Sequence, residues 1–111
     1  MSVVMNSCIF YGYEVSERAA QLIKEGALPE DWEEQVDHCV DLLWDGLSVK
    51  FLYVGMLLHE VDMFSTGEVY EIPEFLTNEQ MHLNTQVREN EMLRLVTGDL
   101  KPKLYHVVYW S

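Results

Sequence analysis

Residues 47–64 read LSVKFLYVGMLLHEVDMF, and the character of this stretch decides the fold. Its middle, Phe51–Leu58, is apolar at consecutive positions, as expected of a strand covered on both faces. The run is too short to span a bilayer, so it predicts a central strand in a soluble protein. Downstream, Ser65-Thr66-Gly67 signals a turn, and Glu68–Ile72 alternates as a returning strand that Pro73 closes.

Further out, residues 3–14 are rich in β-branched and aromatic types and predict a first strand. The tail Lys103–Trp110, KLYHVVYW, predicts a last one. Ser16 is a suitable cap for a short helix through Glu25, with Ala19, Ala20 and Ile23 inward and Gly26 as the stop. Pro29 suits the first turn of a second helix. There Trp32, Val36, Cys39, Val40 and Leu43 recur at helical spacing until Gly46. Thr77-Asn-Glu-Gln80 forms a capping box for a third helix, with Leu76 and Met81 spaced as a staple, running to Thr97 and stopped by Gly98. The order is β-α-α-β-β-α-β. It predicts a single α+β domain over residues 1–111, with an antiparallel or mixed sheet of about four strands and helices on one face.

At 111 residues, 49% apolar and 12% aromatic, the chain has the means to build one core. No repeat, linker or low-complexity tract interrupts it. Two cysteines, Cys8 and Cys39, supply neither a disulfide framework nor a zinc set, and read as thiols in a reducing compartment. The N-terminus lacks the basic start of a signal peptide, so a cytoplasmic location is expected.

The net charge is −12. Such a field disfavours nucleic acid and anionic membranes and draws basic partners. Residues 1–45 carry a net −8, residues 46–75 a net −4, and residues 76–111 are balanced. Between Pro29 and Gly46 stand seven acids and no base. On one continuous helix Glu30, Glu34, Asp37, Asp41 and Asp45 would form a stripe flanked by Glu33. Acids in the first turn complement the helix dipole, whereas Asp41 and Asp45 near the far end oppose it. Seven like-charge pairs at three- and four-residue spacing would cost about 1.5–3.5 kcal/mol in all. Against a total stability of about 5–15 kcal/mol, that argues for a recognition surface.

The stripe predicts docking to a basic protein surface through Glu30, Glu33, Glu34, Asp37, Asp41 and Asp45, with Trp32 and Trp44 as aromatic anchors. In its sharper form the chain is a DNA mimic that inhibits a nucleic-acid-binding enzyme. In size and charge it resembles phage-encoded inhibitors of host defence, a resemblance of type without a shared motif. The competing reading is a small-ligand or divalent-metal site, using Asp37, His38, Asp41 and Asp45 with His59, Glu60 and Asp62. No phosphate-binding loop, dinucleotide fingerprint or nucleophile elbow occurs, so no enzymatic activity and no cofactor are expected. Tyr11, Tyr13, Tyr105, Tyr109 and Trp110 on the terminal strands predict core packing or a contact patch. Joined sheet faces or edges would allow a homodimer.

Overall fold

A computed structural model describes residues 5–44, 51–62 and 70–110. The chain runs β1 (Met5–Glu14), α1 (Ser16–Lys24), α2 (Trp32–Asp37), β2 (Asp41–Trp44), β3 (Leu52–Asp62), α3 (Thr77–Glu89), α4 (Glu91–Thr97) and β4 (Lys103–Trp110). The four strands form one antiparallel sheet in the order β2-β3-β1-β4, and the α+β architecture is as expected. No helix of the described residues is long and apolar enough to cross a membrane.

Strand β1 is the middle of the sheet, with β3 on one side and β4 on the other. Its alternation sends Tyr11 and Tyr13 to the helix-covered face, where they join Val15, Ala19, Trp32, Val36, Leu52, Val54, Leu83, Leu93 and Val96 in the main core. Cys8 and Phe10 point the other way into a second cluster with Val107, bordered by Leu43, Tyr53 and Tyr105. There the Tyr53 ring lies 6.3 Å from Phe10 and 5.2 Å from Tyr105, both tilted as aromatic pairs prefer. Helix α4 packs against all three other helices.

Gly12 stands opposite Gly55 where β1 and β3 pass. A Cβ on Gly12 would lie 2.3 Å from the Val54 carbonyl oxygen and 2.7 Å from the Gly55 Cα. One on Gly55 would lie 2.4 Å from the Tyr11 carbonyl oxygen. Only glycine permits this approach. Two to three residues before Gly12 in β1, between Ile9 and Phe10, the register shifts. Ile9 faces His59 while Phe10 faces Leu57, so Leu58 is the extra residue of a β-bulge and packs against the main core.

Several local expectations are corrected. The second helix ends at Asp37 and not at Gly46. His38–Val40 turn the chain, and Asp41–Trp44 form β2 against β3. Leu42 and Trp44 alternate onto the core side, and this burial competes successfully with a longer helix. Gly46 and Asp45 lie outside the described residues. So does the turn Ser65–Gly67, and residues 70–72 of the expected returning strand adopt no regular structure. The neighbour of β3 on that side is β2.

The third helix is two. Asn90 is extended (φ −106°, ψ 110°) and separates α3 from α4. Neither Ser16 nor Thr77 caps its helix, because each helix begins one residue earlier than that role requires, with Val15 and Leu76 in the cap positions. Ser16 Oγ instead accepts the Leu52 backbone N–H, tying α1 to β3. The staple is open, since Met81 is 63% exposed. In α1, Ala19 is buried but Ala20 is exposed and Ile23 is 48% exposed. The inward stripe runs through Val15, Ala19 and the half-buried Leu22. Gly26 (φ 72°) ends α1 as expected, with Gly26 N–H donating to Ile23 and Ala27 N–H to Leu22.

The glycine pass generates a prediction. Gly12→Ala should destabilise the fold by about 3 kcal/mol, the upper end of overpacking costs, because the obstructing atoms are backbone. A urea denaturation midpoint close to that of the unaltered chain would show that the strands separate without strain.

Candidate functional site

The acidic segment folds into α2, a six-residue helix, plus its flanks. Glu30, Asp31, Glu33, Glu34 and Asp37 are all exposed. Among the described residues none of these carboxylates is ion-paired with a lysine or arginine. Asp31 accepts a hydrogen bond from the Gln35 side chain at 3.0 Å. Glu33 and Glu34 occupy the first turn, where the helix dipole favours them. Asp37 ends the helix without such support.

Three of the expected site residues are placed differently. Trp32 is 4% exposed and belongs to the main core, so it is no anchor for a partner. Trp44 is half-buried and packs against the same core. Asp41 leaves the helical stripe altogether. On β2 its carboxylate accepts the Leu57 backbone N–H at 2.9 Å, just past the point where β2 stops covering β3. Thus Glu30, Glu33, Glu34 and Asp37 stay together on one surface, and Asp41 stands at the sheet edge beyond the turn.

Sequence spacing missed a neighbour of this surface. A hollow of about 480 Å³ lies between α2 and the α3–α4 junction, lined by Gln35, His38, Cys39, Gln86, Glu89, Asn90, Glu91 and Met92. Glu89 and Glu91 therefore add two exposed acids beside α2. Asn90 holds the junction in place. Its oxygen accepts the Leu93 N–H at 2.9 Å and caps α4, while its amide donates to the Gln35 carbonyl at 3.1 Å and to Cys39 Sγ at 3.0 Å. The break between two helices was the only available signal, and the polar run through Asn84–Glu91 had obscured it.

The other expected chemistry is weaker in the fold. Among the described residues no group of three or more His, Cys, Asp or Glu side chains is placed to hold a metal ion. His59 faces Ile9 across β1 and stacks on Tyr70, ring centroids 4.5 Å apart, beside a cavity of about 160 Å³ that His106 also lines. This is smaller than the roughly 300–1,000 Å³ of small-molecule sites. Cys8 and Cys39 are free and sit in different clusters. Burial, reinforced by Glu60, pushes the Cys8 thiol up from 9.0 to about 11, so it is no nucleophile at neutral pH. Comparison with protein-family models, curated proteins and solved structures returns no match.

Two predictions follow from these contacts. Asn90→Ala should cost about 2 kcal/mol, lost as a cap and as a donor, or about 8 °C in thermal midpoint. Asn90→Asp keeps the acceptor for Leu93 but not the donors to Gln35 and Cys39, and should recover only part of the loss. Full recovery would mean that the cap alone matters.

The alkaline limb of stability has a definite sign. Burial raises Cys8, and also Tyr11, Tyr13 and Tyr105, so the folded state favours their neutral forms. The stability that Cys8 contributes is complete below its ordinary value of 9.0 and disappears as pH rises through about 11. Unfolding free energy should therefore fall over that interval, and less steeply in Cys8→Ala. An equal slope in both chains would remove the thiol from the account.

Proposed function

We propose that this protein acts by binding, and that the exposed acidic surface around α2 engages a basic surface on another protein. The observation that carries the reading is that Glu30, Glu33, Glu34 and Asp37 crowd a six-residue helix and its N-terminal flank, and no cation of the described residues neutralises them. Two like-charge pairs at helical spacing survive within α2, Glu33–Asp37 and Glu34–Asp37, each unfavourable by about 0.2–0.5 kcal/mol, and Glu30 and Asp31 add their charge just before its first turn. A docking lysine- or arginine-rich patch would convert that repulsion into attraction. Glu89 and Glu91 across the Asn90 junction widen the target.

The expected mode is electrostatic steering, with association that weakens as salt rises. Trp32 is committed to the core, so the hydrophobic anchor of the original expectation is absent from the proposal. The nucleic-acid-mimic form draws less support from the fold. A six-residue helix rises about 9 Å, whereas a row reaching Asp45 would have run more than twice as far.

The test compares two triple variants of equal charge change. Glu33→Lys/Glu34→Lys/Asp37→Lys alters the α2 surface, and Glu71→Lys/Glu74→Lys/Glu79→Lys alters an acidic region elsewhere. Protein captured from a lysate at low salt and released at high salt serves as the common bait. The α2 variant should lose at least about tenfold in affinity and keep its circular dichroism spectrum, while the control retains most binding. Equal losses in both would reduce the interaction to net charge, and unchanged binding by the α2 variant would remove the surface from the function.

A further inference from the structure

The two edges of the sheet are finished differently. On the β2 side the ladder is blunted, because Asp41, the first residue of β2, places its carboxylate on the N–H of Leu57, which β2 does not cover. On the other side β4 is an eight-residue strand whose described pairing is with β1 alone. About half of its backbone groups, those of alternate residues, therefore point away from β1. No carboxylate, proline or bulge interrupts Lys103–Trp110, and the register with β1 is unbroken from Met5↔Trp110 to Gly12↔Lys103.

The exposed side chains of β4 have a symmetry of their own. Leu104, His106 and Val108 pair with Tyr11, Ile9 and Ser7, so they share one face of the sheet. All three are exposed, Leu104 at 40% and Val108 at 55%. His106 lies midway between the two apolar residues. An antiparallel copy of β4 laid against this edge with His106 opposite His106 would set Leu104 against Val108, and Val108 against Leu104. The strand is its own complement about a two-fold axis.

Charge points to the same occupant. Two chains of net −12 repel wherever their acids meet. From Leu100 to Ser111 there are two lysines and no acid, so β4 is where copies can approach with least repulsion. The acidic α2 surface adjoins β2, which is the opposite edge of the sheet.

We propose that β4 is the interface of a symmetric homodimer, in which two chains join edge to edge into one eight-stranded sheet centred on His106. Leu104 and Val108 of each chain form the cross-strand contacts flanking the axis. A single strand edge is a small interface, so the dimer is reversible and concentration-dependent. The inference is independent of the acidic-surface reading, whose residues remain exposed on both outer ends.

Two measurements test it. By sedimentation equilibrium the chain should pass from one-chain to two-chain mass between micromolar and millimolar concentration, and Leu104→Lys/Val108→Lys should hold it at one-chain mass with an unchanged circular dichroism spectrum. The register is tested by His106→Cys, which places two thiols on directly opposed residues, within the about 4.4–6.8 Å Cα separation a disulfide spans. Mild oxidation should convert most of that variant to a covalent dimer, while Leu100→Cys, outside the strand, should give little. A chain that stays single at millimolar concentration overturns the proposal and leaves the edge to a foreign strand. A dimer that survives the double lysine variant, or that fails to cross-link through position 106, overturns it as well.

Discussion

The close pass of Gly12 and Gly55 is the constraint from which the rest of the fold is hung. With no side chain on either residue, β1 and β3 approach until a Cβ would strike backbone. That contact pins the pairing of the two longest strands, and the pairing fixes which residues face the helices. Tyr11, Tyr13, Leu52 and Val54 then form a floor on which α2, α3 and α4 rest. Phe10, Tyr53 and Tyr105 cluster beneath. A shift of one residue would exchange these two sets, sending phenol groups and aliphatic side chains to the wrong faces. The bulge at Leu58 confines the register change to the far end of β3, beyond the pass.

The turn at His38–Val40 shows how electrostatics and packing agree. A helix continued to Gly46 would have carried Asp41 and Asp45 at its negative end, beside Asp37 and each other. Ending it at Asp37 removes those repulsions from the helix and gives the Asp41 carboxylate a backbone donor. It also lets Leu42 and Trp44 cover the core from a strand. The charge density that suggested a long recognition helix is thus part of the reason the helix is short.

Strong single-period signals were legible in the sequence: the terminal strands, the two-sided apolar run of β3, and the glycine stops at Gly26 and Gly98. Residues 39–44 were not, because Cys39, Val40 and Leu43 fit a helical stripe while Val40, Leu42 and Trp44 fit an alternating strand. Local spacing cannot decide between them. β3 decides, by offering a partner. The capping box failed for a similar reason, since Thr77 is already inside the helix. At the acidic site, exposure of Glu30, Glu33, Glu34 and Asp37 followed from their chemistry. Burial of Trp32 and the arrival of Glu89 and Glu91 depended on where α4 docks, which no local pattern encodes.

The sheet order gives the molecule a polarity. β2 and the acidic α2 surface lie toward one edge, and β4, which carries lysine and no acid, forms the other. The two edges need different protection in a chain so negatively charged. At the β2 edge, repulsion between acids already discourages another copy, and the Asp41 carboxylate occupies the exposed donor on β3. At the β4 edge neither safeguard operates. An edge left without acid or interruption on an otherwise guarded sheet is better explained as a surface that is used than as one left unprotected. The same asymmetry separates the two binding surfaces in space, so that occupation of one leaves the other open.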